Sequence, residues 1–225
     1  MQHPVEIVAA GRTDAGVHAL GQVISLRTTN GMPLARIPWV VNRLLPASIS
    51  IRRVDEREST FHARYSARYR RYRYVLQSTR WPDPIRGRFS WQYDRTLNLE
   101  AMQTAVRPLI GCHNFAAFCH RSSLPALPIR TVQRLSVHPW RDYFLVDVQA
   151  DAFLRQMIRL LVANLVLIGS GVRPASWLEE LLHSQNRFLA GKSAPPCGLF
   201  LMRVGYTPFL EYPQVGEVAG DEAYE

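Results

Sequence analysis

AAGRTDAGVHALGQVISL (residues 9–26) places a polar turn between two apolar stretches near the beginning of the chain. The residues VEIVAA before the turn and QVISL at its end have the composition of β-strands, so the chain must reverse between them. Gly11 and Gly16 can adopt positive φ without steric cost, and the Asp14 side chain can hydrogen-bond its own backbone. This explains a strand–loop–strand connection. It does not explain why the charged residues Arg12 and Asp14 stand together in it.

The composition and charge of the chain predict a globular protein that binds a polyanion. The chain has 225 residues, which is long enough to bury a core as one large domain or two small ones. Of these residues 47% are apolar and 20% are charged, which is typical of a globular protein. The formal net charge is +9 and the isoelectric point is about 10.0. Lys192 is the only lysine, so nearly all the positive charge comes from arginine, which binds phosphates bidentately and stacks on bases. A GC-rich genome would also favour arginine codons, but codon usage does not explain the net charge.

The cysteines and the apolar segments exclude several classes of protein. Cys112, Cys119 and Cys197 are odd in number and widely spaced, so no disulfide framework is predicted. CHNFAAFCH (residues 112–120) lacks the ligand spacing of zinc sites, and we expect no metal. No signal peptide is recognisable, and LLVANLVLIG is too short to span a bilayer. We therefore expect a cytoplasmic protein without a membrane partner.

Hydrophobic periodicity predicts strands and helices that alternate along the chain. Strands are predicted at VEIVAA, QVISL, ISIRRV (residues 49–54), RTVQRLSV, YFLVDVQA and CGLFLMRVGY. Helices are predicted within MPLARIPWVVNRLLP, after an Asn98 cap, from an Asp151 N-cap to Gly169, and near Pro174. In YFLVDVQA (residues 143–150) one set of alternate residues is wholly apolar, and the other contains Leu145, Asp147 and Gln149. This alternation predicts a sheet with one polar face.

These elements fall into two batches on either side of about residue 105, which predicts an α+β fold with two similar halves. We expect an N-terminal half (1–105) that carries the Asp14 loop and a C-terminal half (106–207). Each half would form a largely antiparallel sheet flanked by helices, with an RNA-binding cleft between the halves. Residues 208–225 are acidic and aperiodic and are predicted to be a disordered tail.

Polar residues of the opening loop and of an arginine–tyrosine segment are candidates for function. The loop glycines have phosphate-loop spacing, but Val17 and His18 stand where Lys and Ser or Thr are required, which excludes a Walker A site. From spacing alone, an aspartate at the position of Asp14 is more often a turn residue than a catalytic residue.

Residues 64–74 alternate arginines with tyrosines, which suits recognition of unstacked RNA bases. The alternative is a solvated strand whose tyrosines pack beneath arginine stems.

The predicted helix after Asp151 carries Arg155 and Arg159 one turn apart on an otherwise largely apolar surface. A buried arginine needs a carboxylate or a phosphate as its partner. Either a structural salt bridge satisfies this need, or Arg159 pairs with Asp14 and keeps that carboxylate ionised and oriented.

Five motifs, in order along the chain, resemble those of one family. GRTDAGVHALGQV is similar to the signature loop of the bacterial tRNA pseudouridine synthase A family. FHARYSARYRRYRY resembles its F-H-A-R-x-S-A…R-x-Y-x-Y segment, GCHNFAAF its G-x-H-x-F-x-x-F motif, AFLRQMIR its F-L-x-x-M-V-R helix, and APPCGLFLMRVGY its closing strand. The motifs span residues 7–206, which is nearly the whole chain.

The resemblance implies a pseudouridine synthase fold and a role for each matching residue. Asp14 would be the catalytic aspartate, paired with Arg159, and Arg12 would help to extrude the target nucleotide. Tyr72 would stack on the target uracil. The implied reaction is the isomerisation of uridine to pseudouridine at positions 38, 39 and 40 in the anticodon stem-loop of tRNA, without cofactor or metal and by a homodimer.

Two departures from the family accompany the resemblance. Ala150 and Asp151 stand where the family has a glycine and a small polar residue. The family also begins with a strand of Y-D-G-x-x-Y-x-G-W-Q type and a helix, neither of which precedes VEIVAAGRTD in this sequence. We expect either an internal start or a shortened relative whose N-terminal half is truncated. The alternative function is then that of a non-catalytic RNA-binding remnant.

Overall fold

The computed structural model describes residues 4–207, so the segment predicted as an acidic tail lies outside the described residues. The strands are β1 (Ile7–Ala9), β2 (His18–Ala19), β3 (Ile24–Leu26), β4 (Tyr69–Ser78), β5 (Trp91–Tyr93), β6 (Gly111–Asn114), β7 (Ile129–Trp140), β8 (Tyr143–Ala150) and β9 (Leu199–Gly205). The helices are α1 (Ile37–Asn42), α2 (Leu99–Val106), α3 (Met157–Gly169) and α4 (Trp177–Ser184). Within the described residues the chain forms a smaller compact unit of residues 4–12 and 23–66 and a larger unit of residues 13–22 and 67–207.

The smaller unit contains an antiparallel pair of strands and one short helix. Ile7 of β1 lies opposite Leu26 of β3, and Ala9 lies opposite Ile24. These strands confirm the two that were predicted on either side of the opening loop. A 3₁₀ turn leads into α1, which confirms the predicted helix and ends at Asn42.

The strand predicted at residues 49–54 is wrong, because that segment forms no strand. The reason is the Asn42 side chain, which satisfies both backbone groups of Ile51. The Asn42 amide nitrogen donates to the Ile51 carbonyl at 2.8 Å, and its oxygen accepts the Ile51 N–H at 2.7 Å. A residue whose backbone groups are bonded to a side chain is withdrawn from pairing with a neighbouring strand.

The larger unit contains a sheet with the strand order β2-β9-β4-β8-β7-β6, and β5 pairs with the end of β4. Neighbouring strands from β9 to β6 are antiparallel, whereas β2 is parallel to β9 and β5 is parallel to β4. This mostly antiparallel sheet, flanked by helices, confirms the α+β fold class. The sheet is continuous across residue 105. The division into halves at 1–105 and 106–207, and a cleft between them, stay predictions.

One face of the sheet is buried against helices, and the other is polar. Tyr74 of β4 and Val146 of β8 are fully buried and pack in one core with Leu160 of α3. Helix α2 packs against β7 and α3, and α4 packs against α3. On the other face Arg73 lies directly opposite Asp147 in the register of β4 and β8. The polar face predicted from the alternation in YFLVDVQA is therefore present.

The prediction that Asp151 caps helix α3 is wrong, because the helix begins at Met157. The Asp151 carboxylate instead accepts hydrogen bonds from Thr131 N–H at 3.1 Å and from Ala152 N–H at 2.6 Å. These bonds hold Asp151 at the end of β8. Gln156, the residue before the helix, has a φ of +63°, which interrupts any helix that would begin earlier.

The later start changes which arginine lies on the helix. Arg155 precedes α3, whereas Arg159 lies in its first turn, so the two are not neighbours on one helical surface. Helix α2 agrees with its prediction, because the Asn98 side chain accepts the Ala101 N–H at 3.0 Å as an N-cap. None of the helices within residues 4–207 is long and apolar enough to cross a membrane.

Gly21→Ala is expected to lower the free energy of unfolding by about 1–3 kcal/mol, because an added Cβ would overlap the Met202 carbonyl of β9. The backbone cannot shift freely, since the Leu20 and Gly21 N–H groups both donate to the Leu201 carbonyl, at 2.9 and 3.1 Å. Urea denaturation measures the change.

Gly31→Ala is the matched control for this variant, because a Cβ at Gly31 would have no atom within 4 Å apart from those of its own chain neighbours. Its free energy of unfolding should stay within about 0.5 kcal/mol of the parent value. Equal stability losses in the two variants would show that β9 does not constrain Gly21.

Candidate functional site

Residues 13–22, which include Asp14, are attached to the edge of the sheet by β9. Strand β2 pairs with β9 so that His18 lies opposite Phe200. The rings of these two residues stack with their centroids 4.9 Å apart and their planes 25° apart. The loop therefore has a fixed connection to the sheet on the C-terminal side of Asp14.

Asp14 occupies the first position of a tight turn. The Val17 N–H donates to the Asp14 carbonyl at 3.0 Å, and Gly16 has a φ of +81°, the value that a type II turn requires at its third position. The bonded group in this turn is the Asp14 backbone carbonyl. The Asp14 carboxylate is thus available for another partner.

That partner is Arg159, in the first turn of α3. Arg159 Nη1 lies 2.7 Å from Asp14 Oδ2, and Arg159 Nε donates to the Ala194 carbonyl at 2.8 Å. The side chains of Arg159 and Asp14 are 13% and 26% exposed, so the ion pair is shielded from solvent but still reachable. Asp14 Oδ1 accepts no hydrogen bond from residues 4–207. The pairing suggested by the sequence is present, with one carboxylate oxygen fixed and the other open.

Tyr72, on β4, is near enough to the same carboxylate for the Asp14 charge to act on its phenol. The ring packs edge-on against Phe153, with centroids 5.1 Å apart and planes at 84°. Burial raises the pKa of Tyr72, the Arg70 guanidinium lowers this pKa, and the Asp14 charge raises it. The phenol is therefore neutral at physiological pH. Asp14, Tyr72 and Arg159 belong to the same compact unit.

Arg12 is placed differently from the other three candidates. It is exposed, and it is the last residue of its segment of the smaller unit. Only Thr13 separates it from Asp14 along the chain. The structure thus places Asp14, Tyr72 and Arg159 in one compact unit, whereas Arg12 belongs to the other.

Burial decides between the two interpretations of the arginine–tyrosine segment, residue by residue. Tyr69 and Tyr74 are 8% and 0% exposed, so neither offers a surface to a base. Arg73 binds Asp147 through two hydrogen bonds of 3.0 and 2.9 Å, and the Asp147 side chain is only 2% exposed. These three side chains are therefore engaged in the packing and ion pairing of the strand itself. Tyr72 is the half-buried tyrosine of β4 that borders the candidate site.

Sequence reasoning missed two parts of the site. Phe153 was read as part of a helix, whereas it lies in the loop before α3 and packs on Tyr72. Ala194 was not singled out, although its carbonyl orients Arg159. The adjacent Pro195 and Pro196 predict an extended segment, but nothing in the sequence places that segment against α3.

The geometry gives the Asp14 carboxylate two kinds of chemistry. An ionised carboxylate with one open oxygen can attack an electrophilic carbon or remove a proton. Arg159 restrains the orientation of this carboxylate through its bond to Oδ2. Within residues 4–207 no group of three or more His, Cys, Asp or Glu is arranged to hold a metal ion.

Comparison with known proteins identifies the relatives of this chain. The sequence matches the family described as tRNA pseudouridine synthase over residues 1–66 and 105–207. A protein named tRNA pseudouridine synthase A from Idiomarina loihiensis is 40% identical over 93% of this chain and 80% of its own length. Proteins of the same name from Thermoanaerobacter sp. strain X514 and Aeromonas hydrophila subsp. hydrophila are 36% and 38% identical, over 90% and 95% of this chain and 83% and 79% of their own lengths. The matches confirm the resemblance drawn from the five motifs.

Asp14→Asn is expected to lower the pKa of the Tyr72 phenol, because it removes a negative charge that raises this pKa. Arg70→Met is expected to raise the same pKa, because the Arg70 guanidinium lowers it. An NMR titration of carbon-13-labelled tyrosine, with Tyr72 assigned by its absence in Tyr72→Phe, measures both changes. Asp94→Asn removes an exposed carboxylate and should leave the Tyr72 pKa unchanged. Shifts of the same sign in the first two variants would contradict the close approach of Asp14 and Tyr72.

Proposed function

The chain belongs to the tRNA pseudouridine synthase family, and from this premise we propose that it isomerises uridine to pseudouridine at positions 38, 39 and 40 in the anticodon stem-loop of tRNA. The observation that carries the proposal is the Asp14 carboxylate, fixed by Arg159 at 2.7 Å through one oxygen and open at the other. The Tyr72 ring beside it supports the same reaction, because it offers a neutral aromatic face to a base.

The reaction fits a site built around one carboxylate. The bond between uracil N1 and ribose C1′ breaks, a bond between uracil C5 and the same C1′ forms, the C5 proton leaves, and N1 gains a proton. No atom or electron is gained overall, so we propose that no cofactor or metal takes part. Asp14 can attack the sugar, attack the base or remove the proton, and each role requires a carboxylate held in place with one oxygen open to the substrate.

The substrate must leave the RNA stack before Asp14 can reach it. Extruding a base costs a few kcal/mol, which contacts in the site must offset. We assign stacking on the extruded uracil to Tyr72, where such a contact contributes about 1–3 kcal/mol. We assign extrusion to Arg12, because it is an exposed guanidinium next to the Asp14 loop in sequence.

The partner in this proposal is the anticodon arm of tRNA. The net charge of +9, almost all from arginine, supports binding to its phosphates. A homodimer is proposed from the family resemblance, and light scattering on the purified protein tests it. A cytoplasmic location follows from the proposed substrate.

Asp14→Asn is expected to abolish turnover while the dissociation constant for tRNA stays within about threefold of the parent value. The amide keeps the size of the side chain but not its charge, and arginine–phosphate contacts, which dominate RNA affinity, are left intact. Tritium release from tRNA that carries 5-tritiated uridine measures turnover, and filter binding measures affinity. Undiminished release would show that Asp14 is only a turn residue. Binding without release in the parent protein would establish the non-catalytic alternative.

Transcripts test the position of the reaction separately from its chemistry. A tRNA with its single anticodon-arm uridine at position 39 should release tritium, and the matched transcript with cytidine at position 39 should release none from that arm. Equal release from both would contradict the proposed positions and leave the isomerase activity standing.

Tyr72→Phe is expected to reduce turnover less than Tyr72→Ala does. The phenylalanine ring keeps the stacking face, so about 1–3 kcal/mol of base contact survives in one variant and is lost in the other. Tritium release under single-turnover conditions compares the two. Equal losses would assign the role to the phenol hydroxyl instead of the ring.

A further inference from the structure

Three consecutive residues, Ala194, Pro195 and Pro196, connect separate parts of the site and are called here the 194–196 segment. Ala194 is bonded to Arg159 twice: its carbonyl accepts from Arg159 Nε at 2.8 Å, and its N–H donates to the Arg159 carbonyl at 2.9 Å. Pro196 touches the opening loop, because a Cβ on Gly16 would lie 3.0 Å from Pro196 Cγ. The position of the segment therefore limits where the Arg159 guanidinium and the loop can lie.

The 194–196 segment cannot be held by backbone donors of its own. Proline has no N–H, so Pro195 and Pro196 contribute carbonyls but no donors. Carbonyls in a shielded position need donors from elsewhere in the protein. Arg159 supplies one to Ala194, and the Tyr74 hydroxyl supplies another, donating to the Pro195 carbonyl at 2.8 Å.

Tyr74 is a rigid donor. It is 0% exposed on β4, and burial raises the pKa of its phenol, so the hydroxyl keeps its proton at physiological pH. Its ring has little freedom, because a Cβ on Gly198 would lie only 2.8 Å from Tyr74 Cε1. The Trp91 ring meets it edge-on at 6.3 Å between centroids. The Tyr74 hydroxyl therefore has a fixed position in the sheet, and the 194–196 segment is hydrogen-bonded to it.

We propose that Tyr74 is a positioning residue for the reaction: its hydroxyl fixes the 194–196 segment, and the segment orients the Arg159 guanidinium against Asp14. Tyr74 is fully buried, so it acts through Arg159 and not on the RNA. The activity readout of this inference rests on the proposed function. Its effect on the mobility of Arg159 does not.

Tyr74→Phe is expected to lower kcat about 10- to 100-fold, because it frees the Pro195 carbonyl and lets Arg159 and Asp14 depart from the productive geometry. KM for tRNA should stay within about twofold, since Tyr74 has no surface for RNA. Gln103→Leu is the matched control: Gln103 Nε2 donates to the Val137 carbonyl at 2.9 Å, a side chain–backbone bond of similar length. The control should lose stability and keep kcat. Loss of stability alone in both variants would overturn the proposal.

A second substitution tests whether the effect passes through Arg159. A lysine at position 159 carries one ammonium group, which cannot reproduce the two donor directions that reach Ala194 and Asp14. In an Arg159→Lys background, Tyr74→Phe should therefore change kcat less than about threefold. A full 10- to 100-fold effect in that background would show that Tyr74 acts by another route and would overturn the proposal.

Hydrogen exchange of the Arg159 Nε–H, measured by nitrogen-15 NMR, gives a readout that does not need activity. Tyr74→Phe should raise its exchange rate at least 10-fold, and Gln103→Leu should leave it unchanged. Unchanged exchange in Tyr74→Phe would refute the positioning role. A parent protein that releases no tritium would refute the proposed function, and the exchange rates would still decide the role of Tyr74.

Discussion

The ion pair between Asp14 and Arg159 joins residues 145 positions apart in the chain, and the arrangement of the candidate site depends on it. Strand pairing with β9 places the backbone of the Asp14 loop but leaves its carboxylate undirected. Arg159 directs the carboxylate, and helix α3, together with Ala194, directs Arg159. Such a chain of contacts fixes the carboxylate without any substrate present, so the proposed reaction would need little reorganisation of the site.

Strand β4 contributes to the core, the site and the polar face through successive residues. Tyr74 is buried against the helices, the Asp14 charge acts on the Tyr72 phenol, and Arg73 pairs with Asp147 on the opposite face. Because side chains alternate along a strand, a register slip of one residue would place an arginine in the core. The buried Asp147 opposes such a slip, since its carboxylate binds Arg73 and lies 3.6 Å from the Arg71 guanidinium, and a slip of one residue would move both arginines to the other face. The register of β4 against β9 shifts between Arg71 and Tyr72.

Much of the fold could be predicted from the sequence, because strands such as β8 have clear alternation and α2 has a clear cap. The pairing of Arg159 with Asp14 could also be inferred, since an arginine on an apolar helix requires an anion. The strand expected at residues 49–54 failed because the Asn42 side chain binds Ile51, a contact that no periodicity reveals. The predicted start of α3 was wrong because the Asp151 carboxylate accepts the N–H groups of Thr131, in β7, and of Ala152 instead of capping the helix. Periodicity and cap residues in a short segment indicate the buried face of a strand or helix and the residue at which it ends. They do not indicate which of several hydrogen-bond partners a side chain binds.

The pairing of β2 with β9 also has a consequence for protein synthesis. His18 leaves the ribosome well before its partner Phe200, which belongs to the last strand that the structure describes. A nascent chain with a free Asp14 loop has neither Arg159 nor β9 to bind until those later segments have been synthesised. Pairings between distant segments form slowly, because the intervening chain must be closed into a loop first. An unfinished polypeptide therefore carries arginines that attract nucleic acid long before it carries an assembled site.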